Sequence, residues 1–231
     1  MRQIIALGGG GFSMEPDNPL LDLYILSQTS VPNPKVCFVP TASGDSENYI
    51  SRFYKSFESH KCIPSHLSLF NPPSRDIEDY VMDKDVIYVG GGNTKNLIAL
   101  WKDWGLDVTL KKAWQDGIVM AGISAGSICW FEAGVTDSFG EGLEPLNSLG
   151  FLKGSNCPHY DGESERRPTY QRLVSAGQLP GGFAADDGAA LHFIDGELSK
   201  AVSSRPEAKA YQVQLTEGRL KEEALFTEYL G

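Results

Sequence analysis

The chain has 231 residues, of which 41% are hydrophobic and 22% charged, the composition of an ordinary soluble globular protein. Its formal net charge of −10 argues against a nucleic-acid-binding or anionic-membrane surface. The N-terminal apolar run is too short for a signal peptide, and no stretch approaches a membrane span. No linker, repeat or low-complexity tract divides the chain, so we expect a single domain over residues 1–231.

Strand and helix signals alternate about five times through the first 130 residues. Apolar runs predict strands at residues 2–7, 35–40, 63–70, 85–89 and 118–121. Helices are predicted between them, at residues 18–29, 45–61, 76–82, 95–104 and 107–116. This alternation is typical of a mainly parallel α/β sheet covered on both faces, in which sites form at the carboxyl ends of the strands.

Three glycine-rich segments follow predicted strands, at residues 8–11, 90–94 and 122–126. The first does not predict a dinucleotide site, because no acidic residue closes a second strand about twenty positions later. Its glycines instead indicate a close approach of backbone to another loop or to a substrate. Because all three segments follow strands, we expect them to converge on one edge of the sheet.

The segment 118–130, IVMAGISAGSICW, contains the pattern G-x-S-x-G between a predicted strand and a predicted helix. This is the context of a nucleophile elbow, in which a tight turn exposes the hydroxyl of Ser124. The next amide, on Ala125, lies at a helix N-terminus, where it can stabilise an oxyanion. The alternative interpretation is a Gly/Ser-rich turn that only connects two elements.

The pattern changes after residue 133, where the predicted strands become shorter and the loops longer. We predict a strand leading into a loop at 151–160, a helix at 168–177 and strands at 183–187 and 189–194. Residues 209–215 and 219–225 predict an antiparallel hairpin. The four cysteines, Cys37, Cys62, Cys129 and Cys157, are far apart and lack metal-site spacing, which predicts reduced thiols in a cytoplasmic protein.

A serine nucleophile needs a base, and the chain has four histidines: His60, His66, His159 and His192. His159 lies in a polar loop of the kind that carries catalytic groups, whereas His192 alternates with apolar residues and is expected on the exposed face of a strand. The order of the residues along the chain leaves two candidate triads open. One is Ser124, His159 and Asp187; the other is Ser124 and His192 with Asp137 or Asp161.

Four ordered motifs carry a resemblance that covers essentially the whole chain. VGGGNT at 89–94, GISAGS at 122–127, CPHY around His159 and DDG at 186–188 resemble the dipeptidase E/cyanophycinase family of serine peptidases. The resemblance implies a three-layer α/β/α sandwich with a mainly parallel sheet, similar to class I glutamine amidotransferases, with serine replacing their cysteine. No cofactor or metal is expected, because none of the His, Cys and Asp spacings suggests a metal site.

The family's functional positions carry over one by one. Its nucleophile matches Ser124, its histidine matches His159, and its acid, commonly a glutamate before glycine, falls on Asp187. The oxyanion amides would be those of Gly92 and Ala125. Two further family positions, an asparagine beside the glycine-rich loop and an aspartate of unsettled role, match Asn93 and Asp137.

The best-known branch of the family removes N-terminal aspartate with an arginine that follows the histidine. The matching position here is Thr169, so Arg166, Arg167 and Arg172 are the substrate-binding candidates in this segment, and strict Asp-X specificity is not implied. We expect a serine exopeptidase whose partner is a dipeptide or short peptide, with a homodimer left open. The alternatives are an esterase or amidase with the same triad, or a non-catalytic ligand-binding protein.

Overall fold

The computed structural model describes residues 1–231 and has a mixed α/β architecture with two β-sheets. The strands are β1 Gln3–Leu7, β2 Lys35–Val39, β3 Ile63–His66, β4 Val86–Val89, β5 Val119–Ile123, β6 Phe131–Thr136, β7 Glu144–Asn147, β8 Leu152–Cys157, β9 Gly182–Ala185, β10 Ala189–Ile194, β11 Glu197–Ser203, β12 Ala210–Thr216, β13 Arg219–Ala224 and β14 Thr227–Tyr229. The helices are α1 Gly11–Met14, α2 Leu20–Leu26, α3 Glu47–Phe57, α4 Ile77–Met82, α5 Thr94–Trp104, α6 Leu106–Gln115, α7 Ala125–Ile128 and α8 Arg166–Ser175.

The larger sheet has eight strands in the order β14-β11-β10-β1-β5-β4-β2-β3. The five strands from the first half of the chain, β1 to β5, are parallel to one another, as the alternation of strands and helices predicts. Strand β10 is antiparallel to both β1 and β11. The sheet is therefore mixed and not purely parallel, although five of its seven strand pairings are parallel.

The smaller sheet has six strands in the order β13-β12-β9-β8-β6-β7 and was not predicted as a separate sheet. Its central strands β6, β8 and β9 are parallel, and β7, β12 and β13 add antiparallel edges. Only residues 186–188 separate β9 from β10, too few for a parallel crossover in one sheet. The chain instead passes from the smaller sheet to the larger one at this turn.

Side chains of the larger sheet alternate between two hydrophobic clusters. On β1, Ile4 and Ala6 join a cluster that contains Trp101 of α5, whereas Ile5 and Leu7 join one that contains Phe53 of α3. Both faces are thus covered by helices, which explains why all five residues of β1 are buried and all but Gln3 are apolar. A third cluster joins α8 to the smaller sheet.

His192 lies on β10 and is 2% exposed, which corrects the expectation that it lies on an exposed strand face. Its Nδ1 is 2.7 Å from the hydroxyl of Tyr24, and its Nε2 is 3.1 Å from Oε1 of Gln3. Helix α2, which carries Tyr24, covers this face of the sheet. Burial lowers the pKa of His192 to about 4.

The four cysteines are free thiols, three of them buried. Among the helices of the structure, none combines the length and apolarity that a membrane crossing requires.

Candidate active site

The turn between β5 and α7 places Ser124 in a backbone conformation that non-glycine residues rarely adopt, with φ 57° and ψ −113°. The two flanking glycines allow this turn because backbone lies against each of them. A Cβ on Gly122 would lie 2.1 Å from the Gly126 carbonyl oxygen, and one on Gly126 would lie 2.3 Å from that of Val89. The G-x-S-x-G pattern therefore forms the sharp strand-to-helix turn that the sequence predicts.

His159 and Asp187 form a hydrogen-bonded pair. The distance between Nδ1 of His159 and Oδ1 of Asp187 is 2.6 Å, and each side chain is only 13% exposed. A carboxylate beside Nδ1 favours the tautomer that carries its proton there, which leaves Nε2 as an acceptor. The backbone N–H of Asp187 in turn donates to Oδ1 of Asp161 at 2.8 Å.

Ser124, His159 and the Asp187 turn are held by three successive residues at the carboxyl end of β1. The N–H of Ser124 donates to the Leu7 carbonyl at 3.3 Å, and that of His159 donates to the Gly8 carbonyl at 3.1 Å. The N–H of Gly188 donates to the Gly9 carbonyl at 3.1 Å. Ser124 follows β5 of the larger sheet, whereas His159 and Asp187 follow β8 and β9 of the smaller sheet. The end of β1 therefore holds residues from both sheets next to each other.

The glycine-rich segment after β1 lies against the loop that carries the acid. A Cβ on Gly8 would lie 2.3 Å from the Ala185 carbonyl oxygen, and one on Gly9 would lie 2.0 Å from Oδ1 of Asp187. On the other side of the carboxylate, a Cβ on Gly162 would lie 2.3 Å from Oδ2 of Asp187. These glycines permit two loops to approach each other closely. Of the two interpretations of residues 8–11, approach to another loop or to a substrate, the structure therefore shows the first.

The second glycine-rich segment borders the serine. A Cβ on Gly91 would lie 3.2 Å from Cβ of Ser124, and Gly92, with φ 137°, has the Ala42 carbonyl oxygen 2.2 Å from its Cβ position. Asn93 caps helix α5: its Oδ1 accepts from the N–H of Asn96 at 2.8 Å, while its Nδ2 donates to the Ser138 carbonyl at 3.1 Å. The Asn93 side chain thus connects α5 to the segment that carries Asp137.

A pocket of about 310 Å³ opens at the serine. Its lining residues are Gly92, Asn93, Ser124, Asp137, Ser138, Glu163 and Arg166. Glu163 was not singled out in the sequence, because it lies three residues before Arg166 and outside the helix predicted at 168–177.

The three arginine candidates occupy different places. Arg166 is 3% exposed and lines the pocket, with Nε donating to Oε2 of Glu163 at 2.7 Å. Arg167 is exposed, pairs with Glu222 of β13 and stacks on the Tyr160 and Tyr211 rings. Arg172 is exposed in the last turn of α8. Of the three, only Arg166 borders the pocket at Ser124.

The polar groups of this site include no set suited to a metal ion: no cluster of three or more His, Cys, Asp or Glu side chains has the spacing of a ligand set. The site combines a half-buried serine on a sharp strand-to-helix turn, a histidine–carboxylate pair and backbone amides at a helix start, which together fit acyl transfer.

Comparison with known proteins decides the family. The model of peptidase family S51 matches residues 4–201 of the chain. The chain belongs to peptidase family S51. This family includes dipeptidase E and cyanophycinase, so the resemblance carried by the four motifs is confirmed, and the protein is a serine-type peptidase.

Relatives of this S51 peptidase agree with that assignment. It is 63% identical over 231 residues, the full length of both chains, to the uncharacterized peptidase YgaJ of Bacillus subtilis strain 168. It is 25% identical over 164 residues to the uncharacterized peptidase Lmo0363 of Listeria monocytogenes, covering 68% of this chain and 80% of the other. Two crystal structures share this fold. A putative peptidase E protein from Listeria monocytogenes EGD-e matches with a TM-score of 0.61 at 18% identity, over 98% of this chain and 100% of the other. A peptidase from an acI-B1 actinobacterium matches with a TM-score of 0.66 at 16% identity, over 97% of each chain.

Proposed function

We propose that this S51 peptidase is a serine exopeptidase that removes residues from the N-terminal side of dipeptides or short peptides. Ser124 acts as the nucleophile, His159 as the general base and Asp187 as the acid that orients the histidine. The amides of Gly92 and Ala125 form the oxyanion hole. Asn93, Asp137 and Arg166 contact the substrate, while Arg167 and Arg172 contribute through the charge of the surrounding surface.

The 2.6 Å hydrogen bond between His159 and Asp187 supports the reaction of a Ser-His-Asp peptidase. Nε2 of His159 takes the hydroxyl proton as the oxygen of Ser124 attacks the scissile carbonyl, and then delivers it to the leaving amine. Asp187 fixes the tautomer through the 2.6 Å bond to Nδ1 and stabilises the imidazolium that forms. Water then hydrolyses the acyl-enzyme with the same base, which frees Ser124.

The observation that carries this proposal is the common anchoring of the triad. The backbone of Ser124, the backbone of His159 and the turn after Asp187 are bonded to Leu7, Gly8 and Gly9 in turn. Residues from two sheets are thereby fixed to one rigid strand end, the kind of preorganisation that nucleophilic catalysis requires. His192, the competing base, is bonded to Tyr24 and Gln3 and has no carboxylate partner.

The proposal extends to the setting of the enzyme. We propose a cytoplasmic protein with a single domain, supported by four free thiols and by a site that draws residues from both sheets. The expected partner is the peptide substrate, and a homodimer is the assembly to test by light scattering.

The test is hydrolysis of a dipeptide panel with acidic, neutral and basic first residues by wild type and by Ser124→Ala. We expect turnover by the wild type and its loss in the variant, together with covalent labelling of Ser124 by a serine-directed phosphonate. Turnover of esters without any peptide would favour an esterase or amidase with the same triad. Absence of both turnover and labelling would instead favour a ligand-binding protein.

A further inference from the structure

Arg166 is the only arginine that borders the pocket at Ser124, and three of its five N–H groups are already hydrogen-bonded. Nε donates to Oε2 of Glu163 at 2.7 Å, and Nη2 donates to Oε1 of the same carboxylate at 3.4 Å. Nη1 donates to the Val135 carbonyl at 3.1 Å. The guanidinium therefore meets Glu163 side-on with two bonds, the geometry in which arginine and carboxylate match best.

Burial makes this pairing stronger than an ordinary surface ion pair. The Arg166 side chain is 4% exposed, so little water competes for its N–H groups. Glu163 is 48% exposed and Asp137, whose Oδ1 is 4.0 Å from Nη2 of Arg166, is 64% exposed. The arginine thus lies behind two carboxylates that face the pocket opening.

The formal charges of the pocket follow from its lining. Asp137 and Glu163 contribute two negative charges, Arg166 contributes one positive charge, and the other lining residues are uncharged. A pocket with this balance repels a second carboxylate, such as the side chain of an N-terminal aspartate. It attracts positive charge, such as the ammonium group that every peptide N-terminus carries.

We propose that Glu163 determines the specificity of this site: by neutralising Arg166, it makes the peptidase prefer substrates whose first residue is uncharged or basic. The inference rests on the proposed exopeptidase function and assigns a substrate class within it. Removing the Glu163 charge exposes the field of Arg166 to the pocket, and the preference then moves toward an acidic first residue.

The experiment compares wild type, Glu163→Gln and Glu165→Gln. Glu165 is the matched control, because it lies two residues away at the start of α8, is exposed and makes no side-chain hydrogen bond at the helix N-terminus. The readout is the ratio of kcat/KM for Asp-Leu to that for Lys-Leu. We expect this ratio to rise by at least about tenfold in Glu163→Gln and to stay within about twofold in Glu165→Gln.

The double variant Glu163→Gln/Arg166→Gln identifies the source of the change. It is expected to lose the gain in Asp-Leu preference, since the positive charge is gone, and circular dichroism checks that it folds. An unchanged ratio in Glu163→Gln, or an equal rise in Glu165→Gln, overturns the inference. So does a gain that persists in a folded double variant.

A binding measurement separates this inference from the proposed function. In the Ser124→Ala background, titration calorimetry gives the affinities for Asp-Leu and Lys-Leu without turnover, and Glu163→Gln should shift their ratio in the same direction. If wild type cleaves no peptide, the exopeptidase function fails, whereas the affinity ratio still decides the role of Glu163. Absence of any binding by either peptide counts against both.

Discussion

The nucleophile and its histidine–acid partner come from two regions that are built in different ways. Ser124 lies in the first region, where β5 enters α7 within a few residues and the close contacts run from Gly122 to Gly126 and from Gly126 to Val89. The shape of this turn is set by backbone atoms of Gly122, Gly126 and Val89 that pack directly against one another. These close contacts involve no residue of the smaller sheet.

The second region builds its part of the site from contacts between distant segments. His159 and Asp187 are 28 positions apart, and both depend on the Gly8 and Gly9 segment at the other end of the chain. Here Gly9 and Gly162 lie against a side chain, the Asp187 carboxylate, whereas Gly8 lies against the backbone of Ala185. The difference suggests that perturbing the first region will affect folding, whereas perturbing the second will affect catalysis.

The largest effect is expected from Asp187→Asn. The change keeps the shape of the side chain but replaces the acceptor that holds the His159 tautomer, so kcat should fall by about 10³- to 10⁴-fold with little change in Tm. Steady-state kinetics on the best peptide of the panel, together with thermal unfolding, measures both quantities.

Asp186→Asn is the matched control for that change. Asp186 is buried and accepts the N–H of Lys209 at 3.0 Å, and burial raises its pKa to about 6. An amide oxygen can accept the same bond, so kcat should stay within about threefold of wild type. Equal losses in the two variants would contradict the assignment of the acid to Asp187.

A smaller loss of activity is expected from Gly9→Ala. The new methyl group would start 2.0 Å from Oδ1 of Asp187, so the carboxylate must move away from His159. We expect kcat to fall by about 10²-fold, since a displacement of about 1 Å at a catalytic group has that cost. Gly196→Ala, in the open turn between β10 and β11, is the control and should retain full kcat.

The same contrast explains how much of the fold could be predicted. The buried parallel strands of the first region are continuous apolar runs, such as VIYV in β4, and they were predicted close to their observed bounds. The third strand was predicted at 63–70 but ends at His66. The carboxylate of Asp45 accepts the N–H groups of Leu69 and Phe70, at 2.8 and 3.1 Å, and this long-range contact ends the ladder.

Strands of the second region carry weaker signals. β6, with the sequence FEAGVT, contains a glycine and a glutamate, and β7, with EPLN, contains a proline, so neither was predicted. Which sheet a strand joins depends on pairings that periodicity does not encode.

The candidate site divides in the same way. The Ser124 elbow follows from a local pattern, whereas the choice between His159 and His192 depended on family resemblance, because only the folded chain shows the Tyr24 and Gln3 bonds that occupy His192. Glu163 could not be found from the sequence either, since its importance comes from the burial of Arg166.

Gly126→Ala tests the first region. Its methyl group would start 2.3 Å from the Val89 carbonyl oxygen, which belongs to the packed backbone of β4 and cannot rotate away. We expect a loss of about 2–3 kcal/mol in the free energy of unfolding, or roughly 5–10 °C in Tm. Gly177→Ala, in open space after α8, carries only the strain of its positive φ and should cost about 1 kcal/mol.

The smallest effect on turnover is expected from His192→Gln. Since His192 is hydrogen-bonded to Tyr24 and Gln3, we expect it to take no part in catalysis. The kcat of the variant should remain within about threefold of wild type when both are calculated per folded molecule. A loss as large as that expected for Asp187→Asn would make His192 the base and would contradict the triad proposed here.

The informative change in His192→Gln is in the pH dependence of stability. Burial, with a smaller contribution from Lys200, lowers the pKa of His192 to about 4 from an ordinary value of 6.5. Between pH 6.5 and about pH 4, His192 is therefore protonated in the unfolded chain but neutral in the folded chain. The wild type loses about 1–3 kcal/mol of stability as the pH falls through this range, because the unfolded chain binds more protons. Glutamine does not titrate, so denaturant unfolding of the variant between pH 7 and pH 4 should show a shallower loss. An equally steep loss in both proteins would mean that His192 is protonated in the folded chain, which its hydrogen-bonded, buried position in β10 opposes.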